Sequence, residues 1–122
     1  MCGFVCIVDF ENKIDEKLFV PLNNSSNHRG PDNTGFIYQK NFLFYFRRLA
    51  IIDLDQRSNQ PFSNEDKTIY LVLNGEIYNF IELRDQLKVY GHSFKTSGDT
   101  EVLLKAYEQW GEECVSKLRG MF

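Results

Sequence analysis

Cys2 is the first residue of this chain whose type and place could do chemistry. Met1-Cys2-Gly3 opens directly into the apolar run Phe4-Val5-Cys6-Ile7-Val8. An initiator methionine is commonly removed when the next residue is small. Removal here leaves a thiol and a free α-amine on one residue. The amine titrates near ~8 and the thiol near ~8.5, so the amine can serve the thiol as base at neutral pH. One residue can then supply both nucleophile and base. The alternative is a small apolar residue that begins a buried strand, because free cysteine is among the most buried residue types.

Four further segments carry unusual combinations. In His28-Arg29-Gly30-Pro31-Asp32 a glycine and a proline shape a turn, and the flanking charges can bond across it. It reads equally as a polar surface loop. In Arg47-Arg48-Leu49-Ala50-Ile51-Ile52-Asp53 two arginines at a strand edge point in opposite directions. One facing a cleft suits bidentate capture of a carboxylate. In Asn74-Gly75-Glu76-Ile77-Tyr78-Asn79 the first pair suggests a turn at a strand end. Alternatively, the Asn74 amide and the Gly75 N–H face a developing oxyanion. In Ser97-Gly98-Asp99-Thr100-Glu101 the acids sit where a first helical turn favours negative charge.

These residues need elements to hold them. Phe4–Val8 is too short and too apolar for a helix, so it is expected to be a buried strand. Residues 13–22 suggest a short helix, with Ile14 and Leu18 on one face and a stop at Pro21. The polar stretch 23–35 is expected to be loop. Strands are expected at 35–38 and 42–46, turned at Gln39-Lys40-Asn41. Leu49–Ile52 continues the second strand or begins another. A long polar loop should cover 53–66, followed by a strand over 68–73. Asn79 is expected to cap a helix, with Glu82 closing a capping box and Gly91 ending it. A second helix is expected from about Ser97 to Gly111, with Val102, Leu103, Ala106, Tyr107 and Trp110 on its buried face. A short third helix is expected over 112–118. Strands first and helices later give α+β, with helices packed on a mainly antiparallel sheet. The continuous apolar strands suggest a sheet covered on both faces. Leu118-Arg119-Gly120-Met121-Phe122 reads as a strand just begun, which suggests truncation within a domain.

Composition narrows the function classes. The 122 residues suit one domain, and 15% aromatic content predicts a large packed interior. The net charge is −3 and no basic cluster is present, which argues against nucleic acid. Cys2, Cys6 and Cys114 form no CxxC pair, so neither a disulfide frame nor a metal site is expected. Cys6, about 13 Å along the strand from Cys2, reads as core, with no share in the chemistry. A reducing, cytoplasmic setting follows, with no signal peptide and no apolar run near the ~20 residues that span a bilayer.

Taken together and in order, Met1-Cys2-Gly3, HRGPD, RRLAIID, Gln60-Pro61, NGEIYN and SGDTEVLL resemble the glutaminase domain of class II glutamine amidotransferases. The nearest likeness is to glutamine-hydrolysing asparagine synthetases, and it covers residues 1–122. Phe42–Phe46 departs from the usual pattern by being more aromatic. The resemblance implies an N-terminal-nucleophile hydrolase fold, an α/β/β/α sandwich of mainly antiparallel sheets, incomplete here at its C-terminal side. It implies that Cys2, freed of Met1, attacks the side-chain amide of glutamine and forms a glutamyl thioester. Asn74 and Gly75 stabilise the oxyanion. Arg48 grips the α-carboxylate and Asp99 the α-ammonium. Leu49, Ile51, Ile52 and Glu76 line the pocket, and Arg29 and Asp32 support the nucleophile. Glutamine is the expected substrate, with no cofactor in this domain. ATP and Mg2+ belong to a C-terminal synthetase domain, the expected partner, which turns aspartate into asparagine; a homodimer is compatible with the likeness. Alternatives are a class II domain serving a different acceptor, or a non-catalytic fragment.

Overall fold

A computed structural model describes residues 2–11 and 13–122, and of Asn23 the backbone only. The elements run β1 (Gly3–Val8), α1 (Phe19–Ser26), β2 (Asn33–Gln39), β3 (Phe42–Arg48), β4 (Phe62–Ser63), β5 (Tyr70–Leu71), β6 (Glu76–Ile77), α2 (Phe80–Val89), α3 (Asp99–Trp110) and β7 (Gly120–Met121). Single 3-10 turns occupy Glu16–Leu18, Asn27–Arg29 and Gln56–Ser58, and a longer one, Gly111–Lys117, follows α3. All described strand pairs are antiparallel. The chain is therefore a mixed helix and antiparallel-sheet protein, as expected.

The largest sheet has the order β1-β3-β2, with Gly3 opposite Arg47 and Asn33 opposite Arg48. The run Phe-Leu-Phe-Tyr-Phe explains the central place of β3, since an apolar strand with no alternation must be covered on both faces. Leu43, Tyr45 and Phe46 are accordingly buried. On one face α1 lays Phe19 against Phe36 and Tyr38, with ring centroids 4.7 and 5.7 Å apart. On the other, Phe42 stacks on Phe44 and Tyr70. A second core gathers Leu73, Ile77, Leu83, Leu87, Val102, Ala106 and Cys114 around the contact of α2 with α3.

Several expectations are corrected. The helix expected over 13–22 starts only at Phe19 and runs through to Ser26, inside the expected loop. Pro21 does not stop it, because it stands in the first turn, where a missing N–H leaves no bond unmade. Leu49–Ile52 neither extends β3 nor forms a strand. The strand expected over 68–73 shrinks to β5. The face of α3 turns toward Leu104, and Tyr107 is exposed. Coverage of the sheet on both faces holds for β3 alone. β1 is an edge strand with Phe4 and Val8 half exposed, and Cys6, expected in the core, is exposed. The capping box at Asn79 does not form. Its amide instead donates from Nδ2 to Lys117 O at 3.0 Å and accepts Arg119 N–H at 2.8 Å. It thereby ties the start of α2 to the segment after α3. Gly91 does end α2, with φ of +94°.

Leu87 is fully buried between α2 and α3, whereas Val89 on the same helix is 86% exposed. Leu87→Ala is expected to destabilise the chain by about 2–5 kcal/mol. Val89→Ala should stay within about 0.5 kcal/mol. Urea denaturation of the pair checks this, as a drop in midpoint at unchanged slope for Leu87→Ala alone.

Candidate active site

Cys2 lies just before β1, and the antiparallel register sets it beside the outgoing end of β3. Its Sγ accepts the Leu49 N–H at 3.2 Å and stands 3.5 Å from the Leu49 carbonyl, to which the S–H can donate. The thiol is thus held by backbone on one side and left half-exposed on the other. Met1 lies outside the described residues.

The HRGPD segment buckles onto this corner. Arg29 donates to the Cys2 carbonyl from Nη2 at 3.2 Å and from Nε at 3.4 Å. Asp32 donates its N–H to Arg48 O at 3.1 Å and accepts Ala50 N–H on Oδ2 at 2.8 Å. Gly30 is required between them, because a Cβ there would stand 2.5 Å from the Arg48 carbonyl carbon and 2.7 Å from the Arg47 carbonyl. His28 sits exposed in the preceding turn. Arg29 and Asp32 therefore hold the backbone on either side of Cys2 without lining the cleft.

Arg48 is buried, and its guanidinium closes the loop after β3. Nη1 donates to Asp55 O at 3.1 Å and to Asn59 Oδ1 at 2.8 Å, and Nη2 donates to the Asp53 carbonyl. Among the described contacts these bonds leave Nε–H and one Nη2–H for a further acceptor. Arg47, its neighbour, is buried as well.

Asp99 opens α3 with Gly98 at the N-cap, and its Oδ2 accepts Ile77 N–H at 2.9 Å. That bond fixes the strand β6 directly after Gly75. Two residues on, Glu101 turns back to accept Lys95 N–H at 2.9 Å and Thr96 N–H at 2.7 Å. This satisfies donors at the helix entrance. Arg84 of α2 donates to Thr96 O at 2.7 Å and Gly98 O at 2.8 Å. Asp53 reaches the same loop, accepting Ser97 N–H and Ser97 Oγ–H, both at 2.9 Å, and Ser58 Oγ–H at 2.7 Å. The Asp55 N–H and then the Ser58 hydroxyl, with Ser97 adding to them, hold the Asp53 carboxyl well below the usual carboxylate range.

The NGE segment forms the third wall. Gly75 and Glu76 line the cleft, whereas Asn74, just before the bend at Gly75, stands outside the lining. β6 pairs with β7, Glu76 opposite Met121, so the C-terminal segment backs this wall. A Cβ on Gly75 would meet Met121 O and Phe122 Cβ at 2.6 Å. Gln60, itself on the cleft lining, braces this wall. Its amide accepts Leu73 N–H at 2.6 Å and donates to Leu73 O at 3.2 Å and Thr100 Oγ1 at 3.3 Å.

The result is one open cleft. Cys2, Arg48, Leu49, Ile51, Ile52, Gly75, Glu76 and Asp99 all face it. Sequence reasoning gave no role to Asp53, Ser58, Thr100 or Glu101, which also line it. Asp53 and Glu101 close two of the motifs singled out by pattern; Asp53 reaches Ser97, 44 residues away, whereas Glu101 folds back locally onto Thr96 and Lys95. Among the described residues no group of three acidic, cysteine or histidine side chains could hold a metal ion, and no helix is long and apolar enough to cross a membrane.

An ordered thiol, a buried Arg, a buried Asp and a glycine N–H on one cleft can bind a zwitterion and attack a carbonyl. Residues 1–122 match the family described as glutamine amidotransferase domain. The chain is 46% identical over 126 residues to asparagine synthetase [glutamine-hydrolyzing] 1 of Bacillus subtilis, covering all of this chain and 20% of that protein. It is 36% identical over 126 residues to the enzyme numbered 3 of the same organism, again with 20% of that protein covered. It is 40% identical over 124 residues to the asparagine synthetase [glutamine-hydrolyzing] of Zea mays, with 21% of that protein covered. The chain thus spans about a fifth of the length of these curated relatives. With the match running from the first residue to the last, the chain belongs to the glutamine amidotransferase domain family.

Proposed function

We propose that this chain hydrolyses glutamine to glutamate and ammonia, and that it is the N-terminal, ammonia-supplying part of a longer asparagine synthetase. The observation that carries the reading is the convergence of Cys2, Arg48, Gly75 and Asp99 on one cleft from four distant segments. Arg48, through the N–H groups its loop bonds leave, pairs the α-carboxylate, and Asp99 pairs the α-ammonium. The side-chain amide carbon then lies toward Cys2. The Cys2 amine, free once Met1 is cleaved, takes the thiol proton as sulfur attacks. The carbonyl oxygen becomes an oxyanion stabilised by the Gly75 N–H and the Asn74 amide. Collapse forms the thioester and expels ammonia, which carries off the proton. Water cleaves the thioester to glutamate and restores the thiol. Leu49, Ile51, Ile52 and Glu76 complete the pocket, and Arg29 and Asp32 keep Cys2 in place. No cofactor is needed for this half. ATP and Mg2+ would serve a synthetase domain that passes the ammonia to aspartate. The antiparallel sheets and flanking helices would form part of an α/β/β/α sandwich of the N-terminal-nucleophile type.

The test is mass spectrometry after incubation with 6-diazo-5-oxo-norleucine, a glutamine-shaped electrophile. The thiol proton moves to the diazo carbon, sulfur attacks that carbon, and dinitrogen leaves. A single adduct on Cys2 of a chain lacking Met1, prevented by excess glutamine, is expected. A folded, Met1-free chain that takes no adduct, or takes it regardless of glutamine, overturns the reading.

A further inference from the structure

The two groups proposed to hold the α-amino-acid end come from distant elements. Arg48 ends β3 and Asp99 begins α3. One residue touches the settings of both. The Asp53 carbonyl accepts from Arg48 Nη2, and the Asp53 carboxylate accepts from the backbone and hydroxyl of Ser97, two residues before Asp99. Ser58 Oγ–H adds a third bond to Oδ2, and Asp55 N–H bonds Oδ1. The approach is close but unstrained: a Cβ on Gly98 would stand 3.6 Å from Asp53 Cβ, an ordinary contact. The thiol is held separately: Cys2 Sγ bonds Leu49 and the Cys2 carbonyl bonds Arg29, with no contact through Asp53.

The geometry points to Asp53 as the positioning residue that sets the spacing between Arg48 and Asp99, and so the selectivity of the cleft for an α-amino acid. The inference rests on the glutaminase reading above. A displaced Asp53 would let the α3 entrance and the 53–59 loop move apart while the nucleophile stays where it is. Binding of the zwitterionic end is then lost, and thiol reactivity is kept.

The experiment compares two electrophiles on the whole chain. 6-Diazo-5-oxo-norleucine carries the α-amino-acid end, and iodoacetamide lacks it. With Asp53→Ala the concentration of the diazo compound for half-maximal labelling of Cys2 is expected to rise roughly 10- to 100-fold, from the loss of bonds to a charged acceptor. Iodoacetamide should alkylate Cys2 at the unchanged rate. Asp53→Asn keeps one oxygen for Ser97 and sets an amide N–H against the Asp55 N–H, so an intermediate shift is expected. Asp53→Asn also carries the test where Asp53→Ala does not fold. An unchanged half-saturation, or equal loss of both labelling rates, overturns the role of Asp53. A parent chain that labels no better with the diazo compound than with iodoacetamide removes the glutaminase reading itself, and the inference with it.

Discussion

Cys2→Ala is expected to abolish ammonia release from glutamine, by a factor on the order of 10^4 or more, because no other group in the cleft can form the thioester. Glutamine binding should survive. Arg48 and Asp99 make no bond to the thiol, and among the described residues Sγ bonds the Leu49 backbone alone. Calorimetric titration with glutamine, alongside an assay for glutamate, separates the two effects. Turnover within tenfold of the parent would sink the nucleophile assignment. A chain that retains Met1 gives the companion result. It keeps the thiol and ties up the neighbouring amine in a peptide bond, so a loss approaching that of Cys2→Ala is expected if the amine is the base.

The parts of the site that were legible in sequence are those whose chemistry is carried by short runs. The family likeness supplied the roles, but Cys2, Gly75 and Asp99, all on the cleft lining, could be singled out from residue type and local spacing. Their partners could not. Asn79 looked like a helix cap because an Asn with Glu82 three residues on fits a capping box. Its side chain instead reaches Lys117 and Arg119, about forty residues away, and no local pattern encodes that. Arg48 looked like a carboxylate binder. That the same guanidinium also closes the 53–59 loop depends on where the loop folds back. β1 failed for a related reason. Its unbroken apolar run reads as buried on both faces, yet burial depends on rank in the sheet, and β1 stands at an edge. Pro21 does not stop the helix because a proline ends a helix only after the first turn, and α1 starts at Phe19, so Pro21 lies within that turn.

Gly35→Ala is the second large effect, and it connects fold to site. Gly35 sits inside β2 opposite Phe46, and a Cβ on it would stand 1.8 Å from the Gln60 carbonyl oxygen. In a strand, glycine often marks such a close backbone approach. Gln60 cannot withdraw freely, because its amide grips Leu73 at both N–H and C=O and also reaches Thr100. Those residues precede Asn74 and follow Asp99. Inserting one methyl group must therefore either open β2 from β3 or tear Gln60 from the wall of the cleft. We expect destabilisation of about 3 kcal/mol or more, since backbone clash has no rotamer escape. Gly98→Ala is the control, because its Cβ meets Asp53 at 3.6 Å, an ordinary contact, and its backbone at φ −78° accepts any side chain. Urea midpoints for the two variants decide the matter. A Gly35→Ala chain as stable as Gly98→Ala would show that Gln60 moves more easily than its bonds imply. The wall of the cleft at Gly75 and Glu76 would then not depend on β2 for its position.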